Sequence, residues 1–313
     1  TVAKRPVHGL DKSHFAYKEA PIPEPGDGEI LLKSHYLNLA PVMRMYMMEN
    51  GGGYGTERHL EIGDVIHGRG VAEVVQSRHP DYKPGEFLQG QIGWQTHKVT
   101  AVTPQEKFRK MTPRGLPAYY GLSALGMTGY SACCGFMSRG RPQQGDTVLV
   151  SGAAGGVGSL VIQIAKASGC SRVIGIAGGP EKCALVKDLG ADEAIDYKSE
   201  NVEDRIKTLL PDGIDVFFDN VGGETLEAAL RNLRVNARVV LCGAISEYAR
   251  ETPFHLKNYG LVRNLNADLC GFYVYHHMHE YQQAEEDIAA WIKAGKVKAI
   301  VDIDDGFERM PEA

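Results

Sequence analysis

Between Val148-Leu149-Val150 and the helically spaced Leu160, Ile164 and Ala167 lies the run Ser151-Gly152-Ala153-Ala154-Gly155-Gly156-Val157-Gly158-Ser159, and no other stretch restricts the fold of this chain as strongly. Val148 to Val150 reads as a short strand, and the spacing of Leu160, Ile164 and Ala167 predicts a helix that begins near Leu160. Strand, glycine-rich turn and helix in that order commit the segment to a parallel α/β unit. Gly155 lets the backbone approach a pyrophosphate, Gly158 lets the helix pack closely on the strand, and the N–H groups at the helix start face the anion. Ala153 stands where the first glycine of G-x-G-x-x-G usually falls. Ala153, Gly155, Gly156, Val157 and Gly158 therefore read as a dinucleotide cradle, with a plain glycine-rich turn as the structural alternative.

From Thr147 onward, strand and helix patterns alternate. Further strands are predicted at 173–177, 193–196, 214–219, 238–242 and 268–274, and amphipathic crossovers at 202–210 and 224–233. Pro180 stands at a first helical turn and Gly190 just past a last one. Six strands with helical connections imply an α/β fold with a doubly wound, mostly parallel sheet. Earlier in the chain, short strand-like runs at 30–35 and 70–75 are separated by Pro21-Ile22-Pro23-Glu24-Pro25-Gly26 and Pro84-Gly85, which predicts a mostly β domain. Tyr281, Ala284, Ile288 and Trp291 mark one apolar helix face closed by Gly295. Ile300-Val301-Asp302-Ile303 then reads as a strand that rejoins the first domain. The predicted division is a β domain formed by 1–124 and 296–313 and a dinucleotide-binding domain over 125–295.

Composition excludes several classes. The 313 residues suffice for two cores. A net charge of −5 without a basic stripe lacks the footprint of a nucleic-acid binder. No apolar run approaches the roughly 18 residues of a membrane span, and Thr1-Val2-Ala3-Lys4-Arg5-Pro6 leads into no apolar signal core, so a cytoplasmic setting is expected. Cys133, Cys134, Cys170, Cys183, Cys242 and Cys270 form no C-x-x-C pair and are expected to be reduced. Cys133-Cys134 could be a redox or metal pair, or two buried small hydrophobes.

An N-terminal β domain followed by this glycine turn resembles the medium-chain dehydrogenase/reductase superfamily, with its GroES-like and Rossmann domains. Further motifs narrow the resemblance: Tyr36-Leu37-Asn38-Leu39-Ala40-Pro41-Val42-Met43-Arg44, His79-Pro80-Asp81-Tyr82, Leu125-Gly126-Met127-Thr128-Gly129, Phe218-Asp219-Asn220-Val221-Gly222-Gly223 and Cys242-Gly243-Ala244-Ile245-Ser246-Glu247-Tyr248. Together they are similar to the zinc-free, NADPH-dependent double-bond reductases, and they span nearly the whole chain. Residues 1–132 contain no cysteine, and His67 is followed by Gly68-Arg69 rather than by the Glu of the zinc enzymes' Gly-His-Glu signature. No metal is therefore expected. His276-His277-Met278-His279 could chelate a surface ion, but reads as a solvated turn before the following helix.

Cofactor choice is legible at the end of the second strand of the parallel sheet. NAD enzymes place an acid there, about 20 residues past the glycine turn, for the ribose 2′-hydroxyl. Here Ile176-Ala177-Gly178-Gly179 is neutral and Lys182 lies just beyond. The resemblance implies NADPH/NADP+, with its 2′-phosphate beside Gly179 on Lys182 and Tyr197.

The chemistry implied by the family is hydride delivery to the β-carbon of an α,β-unsaturated ketone or aldehyde, followed by protonation of the enolate at the α-carbon. Such a site needs a donor near the carbonyl oxygen, and a tyrosine hydroxyl, with an ordinary pKa near ~10, keeps its proton at neutral pH. Tyr248 takes that place by resemblance, although a ribose hydroxyl or a water could relay the proton instead. The resemblance further implies Asn220 at the nicotinamide side, Cys242 and Gly243 along the dinucleotide, and backbone groups of Phe272 and Val274 at the carboxamide. Met43, Arg44 and Tyr54 are substrate-pocket candidates, with a structural ion pair as the alternative for Arg44. The chain reads Ala40-Pro41-Val42-Met43-Arg44 and Gly129-Tyr130-Ser131-Ala132-Cys133-Cys134-Gly135 where relatives often carry an additional tyrosine, which bears on substrate identity. Relatives typically continue into Gly-x-Asn-x-Gly-Lys beyond the position of Ala313. A quinone reductase using the same cofactor and a non-catalytic NADPH-binding protein remain the alternatives, and a homodimer is expected from the family.

Overall fold

The computed structural model describes the chain apart from residues 7–9, 49–59, 113, 249, 251 and 313. It divides into two compact units, Thr1–Leu122 with Asp302–Ala313, and Ser123–Val301.

The first unit is built on β1 (Ile30–Leu37), β2 (Arg69–Ser77), β3 (Phe87–Gln91), β4 (His97–Thr100) and β5 (Arg109–Lys110), with a short helix α1 (Met43–Met47) between β1 and β2. These strands form one antiparallel sheet in the order β4-β1-β2-β3-β5. Ile30, Leu32, Ala72, Val74, Leu88 and Ile92 close one core on it. A second cluster gathers Val2, Met43, Tyr46, Met47, Leu60 and Ile66 around α1. The β character expected from the Pro/Gly punctuation is observed, with β1 and β2 each running a residue or two further than their apolar runs.

The second unit follows the βα rhythm. α2 (Met127–Cys134) runs into a π-helical stretch at Gly135–Gly140. Then come β6 (Thr147–Val150), α3 (Gly156–Ala167), β7 (Arg172–Ala177), α4 (Pro180–Asp188), β8 (Glu193–Asp196), α5 (Val202–Leu209), β9 (Ile214–Asp219), α6 (Gly223–Leu230), β10 (Leu233–Leu241), α7 (Gly260–Asn264), β11 (Asp268–Gly271) and α8 (Tyr281–Lys293). The six strands pair in parallel in the order β11-β10-β9-β6-β7-β8. Leu149, Ile174, Phe217 and Val239 are 0% exposed, as expected of strands covered on both faces. The chain winds outward from β6 to β8 and then from β9 to β11. The crevice beyond the carboxyl ends of β6 and β9 is therefore the topological switch point, where such sheets bind ligands.

Several boundaries depart from the sequence pattern. α3 starts at Gly156, one turn before Leu160, because an extended Gly155 caps it and a first turn that buries no large side chain leaves no apolar signal. The helix expected over 224–233 ends at Leu230, and Leu233 is already paired with Ile214 as the first residue of β10. β11 is shorter than 268–274: Phe272 N–H still reaches Leu241 O at 3.1 Å, but Val274 opens a short 3-10 helix to Glu280. His277 within that helix is buried, with Nδ1 2.7 Å from Glu280 Oε1, so the histidine cluster is not simply a solvated turn. Residues 300–303 form no strand. Buried Gln163 on α3 accepts Lys298 N–H at 2.7 Å and donates to Lys298 O at 3.0 Å, which binds this segment to a helix rather than to a sheet edge. No helix among the described residues is long and apolar enough to cross a membrane.

Candidate functional site

The glycine turn occupies the switch point. Ser151, 0% exposed, donates its N–H to Phe218 O at 3.0 Å, and Ala153 N–H reaches Ile176 O at 3.0 Å, so the turn is tied to both neighbouring strands. Gly152 adopts φ +57°, the left-handed conformation that glycine tolerates best. Ala153 is accommodated because its neighbour on β7 is Gly175, where a Cβ would lie 2.7 Å from the Ala153 Cβ. Gly155 and Gly156 are exposed, and no side chain caps the N-terminus of α3. That leaves backbone N–H groups facing outward with the positive end of the helix dipole behind them. At Gly158 a Cβ would collide with Gly152 O and sit 2.8 Å from Ala153 Cα. The close approach expected between helix and strand is thus an approach of α3 to its own preceding turn.

Beside it, β7 and β8 end in a second polar corner. Gly179 has φ +94° and precedes Pro180. Asp196 Oδ1 accepts Gly179 N–H at 2.7 Å and Lys198 N–H at 3.0 Å, and Oδ2 accepts Ser199 Oγ–H at 2.9 Å. Those two backbone donors, foremost among the causes, hold the Asp196 carboxyl below its ordinary range. The Tyr197 ring stands over Gly178, where a Cβ would be 2.7 to 2.8 Å from ring atoms and the hydroxyl. Lys182 lies exposed on the first turn of α4. Gly179 and Tyr197 therefore follow the adjacent ends of β7 and β8, with Lys182 on the helix that leaves β7. The acid that meets Gly179 comes from the end of β8 rather than of β7, so the spacing after the glycine turn does not single it out.

The third part lies where β9 and β10 end. Cys242 N–H and Gly243 N–H both reach Asp219 O, at 2.9 and 3.1 Å. The Tyr248 hydroxyl lies 3.4 Å from Ala244 N, which donates to it, and 3.5 Å from where a Cβ on Gly243 would be. Ser246 Oγ–H donates to Val221 O at 2.7 Å, and Glu247 Oε2 accepts Phe254 N–H at 2.9 Å, which fixes the segment carrying the tyrosine. Asn220 points its amide nitrogen at Ser151 O, 2.8 Å away, so that donor faces the glycine turn. The Cys242 thiol is pushed up to about 12 by burial and then by Asp219, and so stays protonated. Phe272 N–H is taken by Leu241 O and Val274 O by the Tyr281 hydroxyl at 2.8 Å, so the groups these two residues can offer are the Phe272 carbonyl and the Val274 N–H.

Of the substrate-pocket candidates, Met43 is a core residue, 7% exposed in the cluster around α1, with Sδ accepting Ala40 N–H at 3.2 Å. Its place is explained by packing. Arg44 is half-buried on α1, and Tyr54 lies outside the described residues. Among the described residues no group of three or more His, Cys, Asp or Glu side chains could hold a metal ion, and Cys133 and Cys134 are buried free thiols, each pushed up to about 12 by burial.

Comparison with known proteins adds the following. Residues 156–290 match the family model described as zinc-binding dehydrogenase, and residues 1–109 the model of the N-terminal domain of oxidoreductase. The chain is 37% identical to the NADP+-dependent 2-alkenal reductase of Nicotiana tabacum, over 93% of this chain and 84% of that protein. It is 36% identical to prostaglandin reductase 1 of Bos taurus, over 100% and 93%. The crystal structure of CurA from Vibrio vulnificus in complex with NADPH superposes with a TM-score of 0.90 at 34% identity, covering 100% of this chain and 93% of that one.

Proposed function

The chain belongs to the NADPH-dependent double-bond reductase branch of the medium-chain dehydrogenase/reductase superfamily, and we propose that it reduces the carbon–carbon double bond of α,β-unsaturated ketones and aldehydes with Tyr248 as its catalytic side chain. The observation that carries this reading is the position of the Tyr248 hydroxyl over Gly243 and Ala244, on a segment bonded to the same turn that holds the glycine cradle.

The residues present fit a phosphorylated dinucleotide. Ala153, Gly155, Gly156, Val157 and Gly158 offer open backbone at an uncapped helix start for the pyrophosphate. Gly179, Lys182 and Tyr197 would hold the 2′-phosphate, with Asp196 kept away from the ribose by its bonds to Gly179, Lys198 and Ser199. Asn220, Cys242, Gly243, Tyr248, the Phe272 carbonyl and the Val274 N–H would line the nicotinamide end. When bound, NADPH supplies a hydride for the β-carbon. The Tyr248 hydroxyl donates to the substrate oxygen on which enolate charge develops, and the Ala244 N–H directed at the phenol oxygen polarises that donor. A proton taken up at the α-carbon then completes a two-electron reduction.

The unit Thr1–Leu122 with Asp302–Ala313 is assigned as the GroES-like substrate domain and Ser123–Val301 as the Rossmann cofactor domain. A cytoplasmic homodimer is part of the same reading. Its support is the β11 edge of the parallel sheet, where Leu269 is 41% exposed; an unpaired edge of this kind invites strand pairing.

The test is NADPH consumption, followed by absorbance, against an enone, an enal and a quinone. Turnover with the enone and enal is expected; turnover with the quinone alone, or with none despite tight NADPH binding, would overturn the reading. Tyr248→Phe should lower turnover by up to roughly 100- to 1,000-fold, by analogy with lost oxyanion donors, and leave the NADPH dissociation constant nearly unchanged. An unaltered hydride-transfer rate would remove Tyr248 from the mechanism.

A further inference from the structure

Asp219, the last residue of β9, is the most deeply buried carboxylate among the described residues, 1% exposed. The donors that meet it are neutral: Ser151 Oγ–H at 2.7 Å, Val221 N–H at 3.0 Å and Gly222 N–H at 3.1 Å. Removing a carboxylate from water is strongly unfavourable, and the nearby start of α6 offsets only part of that. An apolar side chain would fill the space without the penalty. What the carboxylate contributes is direction.

That direction joins two halves of the site. On one side, Ser151, first residue of the glycine turn, is held by residues 218–220: its hydroxyl donates to Asp219 and accepts Asn220 N–H at 2.8 Å, and its carbonyl accepts the Asn220 side chain at 2.8 Å. On the other side, the backbone of residues 219–221 receives the Tyr248 segment. Asp219 O accepts Cys242 and Gly243, Asn220 O accepts Ile245 N–H at 3.2 Å, and Val221 O accepts Ser246 N–H at 3.1 Å and Ser246 Oγ–H at 2.7 Å. Asp219 and Asn220 thus touch the cradle through their side chains, while the carbonyls of residues 219–221 hold the tyrosine segment.

We propose that Ser151 and Asp219 are a positioning pair that holds the glycine turn and the Tyr248 segment in one register, so that the placement of Tyr248 is coupled to the cradle. The proposal rests on the catalytic reading of Tyr248 given above. Neither residue touches the reacting atoms; both act through the residues they align.

The experiment is a double-mutant cycle on the full-length chain. Single-turnover hydride-transfer rates to an enone are measured with NADPH and its 4-deuterated form for Ser151→Ala, Tyr248→Phe and the double variant. Ser246→Ala, which removes a bond on the opposite side of residues 219–221, provides a second cycle should Ser151→Ala fail to fold. Coupling is expected: in either background the effect of Tyr248→Phe shrinks by about three- to tenfold relative to native protein, within the range of directly linked sites. Independent effects that simply multiply would overturn the proposal. If Tyr248→Phe alone is silent, the catalytic reading falls and the pair is judged by NADPH affinity in Ser246→Ala. A severalfold weakening, read from nicotinamide fluorescence, upholds the link to the cradle, and an unchanged dissociation constant overturns it.

Discussion

At the scale of single residues, charge placement carries the clearest consequences. Lys182 stands exposed where an NAD enzyme would carry an acid one turn earlier, and a charge-assisted bond to the 2′-phosphate is worth about 1.5 to 3 kcal/mol. Lys182→Ala should therefore weaken NADPH by roughly ten- to a hundredfold while leaving NADH nearly unaffected, a comparison read from the two dissociation constants. Equal weakening of both would mean that Lys182 acts through the fold. Asp219 gives the second test. Burial raises its carboxyl above the ordinary range, while Ser151, Val221 and Gly222 draw it part of the way back. A native pKa above the unfolded value means that the folded chain holds the proton longer. The contribution to stability is then fully present in acid and is lost as pH rises from the unfolded value near ~4 through the raised folded one. Asp219→Asn cannot titrate, so its thermal midpoint should gain on that of native protein across that rise. A difference that stays constant with pH would show that no raised carboxyl is present.

At the scale of elements, the turn between β6 and α3 separates folding from binding. Gly158→Ala places a methyl against Gly152 O and Ala153 Cα. Overpacking of this kind typically destabilises by about 1 to 3 kcal/mol, which urea unfolding would show. A Cβ at Gly155 would lie 3.2 Å from Gly152 O, and its outer side is exposed. Gly155→Ala should accordingly spare most of the stability while weakening NADPH, and equal loss of stability in both variants would contradict this division of roles. The element boundaries follow the same logic. Periodicity located α3 from Leu160, Ile164 and Ala167, but its first turn, Gly156 to Ser159, buries no large apolar side chain and was invisible to that signal. Ile300 to Ile303 had the composition of a strand, yet Gln163, distant in sequence, had already bound the preceding segment to α3.

For the whole molecule, the expectation is an enzyme without a resident metal and with an edge-to-edge dimer. Elemental analysis of active protein should find no stoichiometric zinc, and chelators should leave turnover unchanged; one tightly held zinc per chain, with activity lost on its removal, would refute this. Leu269→Lys places a charge on the exposed edge strand β11 and should shift the mass measured by light scattering from dimer to monomer without loss of NADPH binding. A native protein that is already monomeric, or a variant that remains dimeric, would move the contact elsewhere.

The residue order alone determined the alternation of strand and helix after Thr147, the parallel character of the sheet, the place of the glycine turn within it and the neutral end of β7, because each of these is written in local periodicity and in residues with special backbone chemistry. Tertiary structure decided what depends on partners far apart in sequence: that Ala153 is tolerated because Gly175 lies beside it, that Met43 packs in a core, that the Asn220 amide turns toward Ser151, and that Asp219 ties the cradle to the segment bearing Tyr248. A hydrogen bond or a close packing contact is fixed by distance in space, and the spacing of residues along the chain does not record that distance.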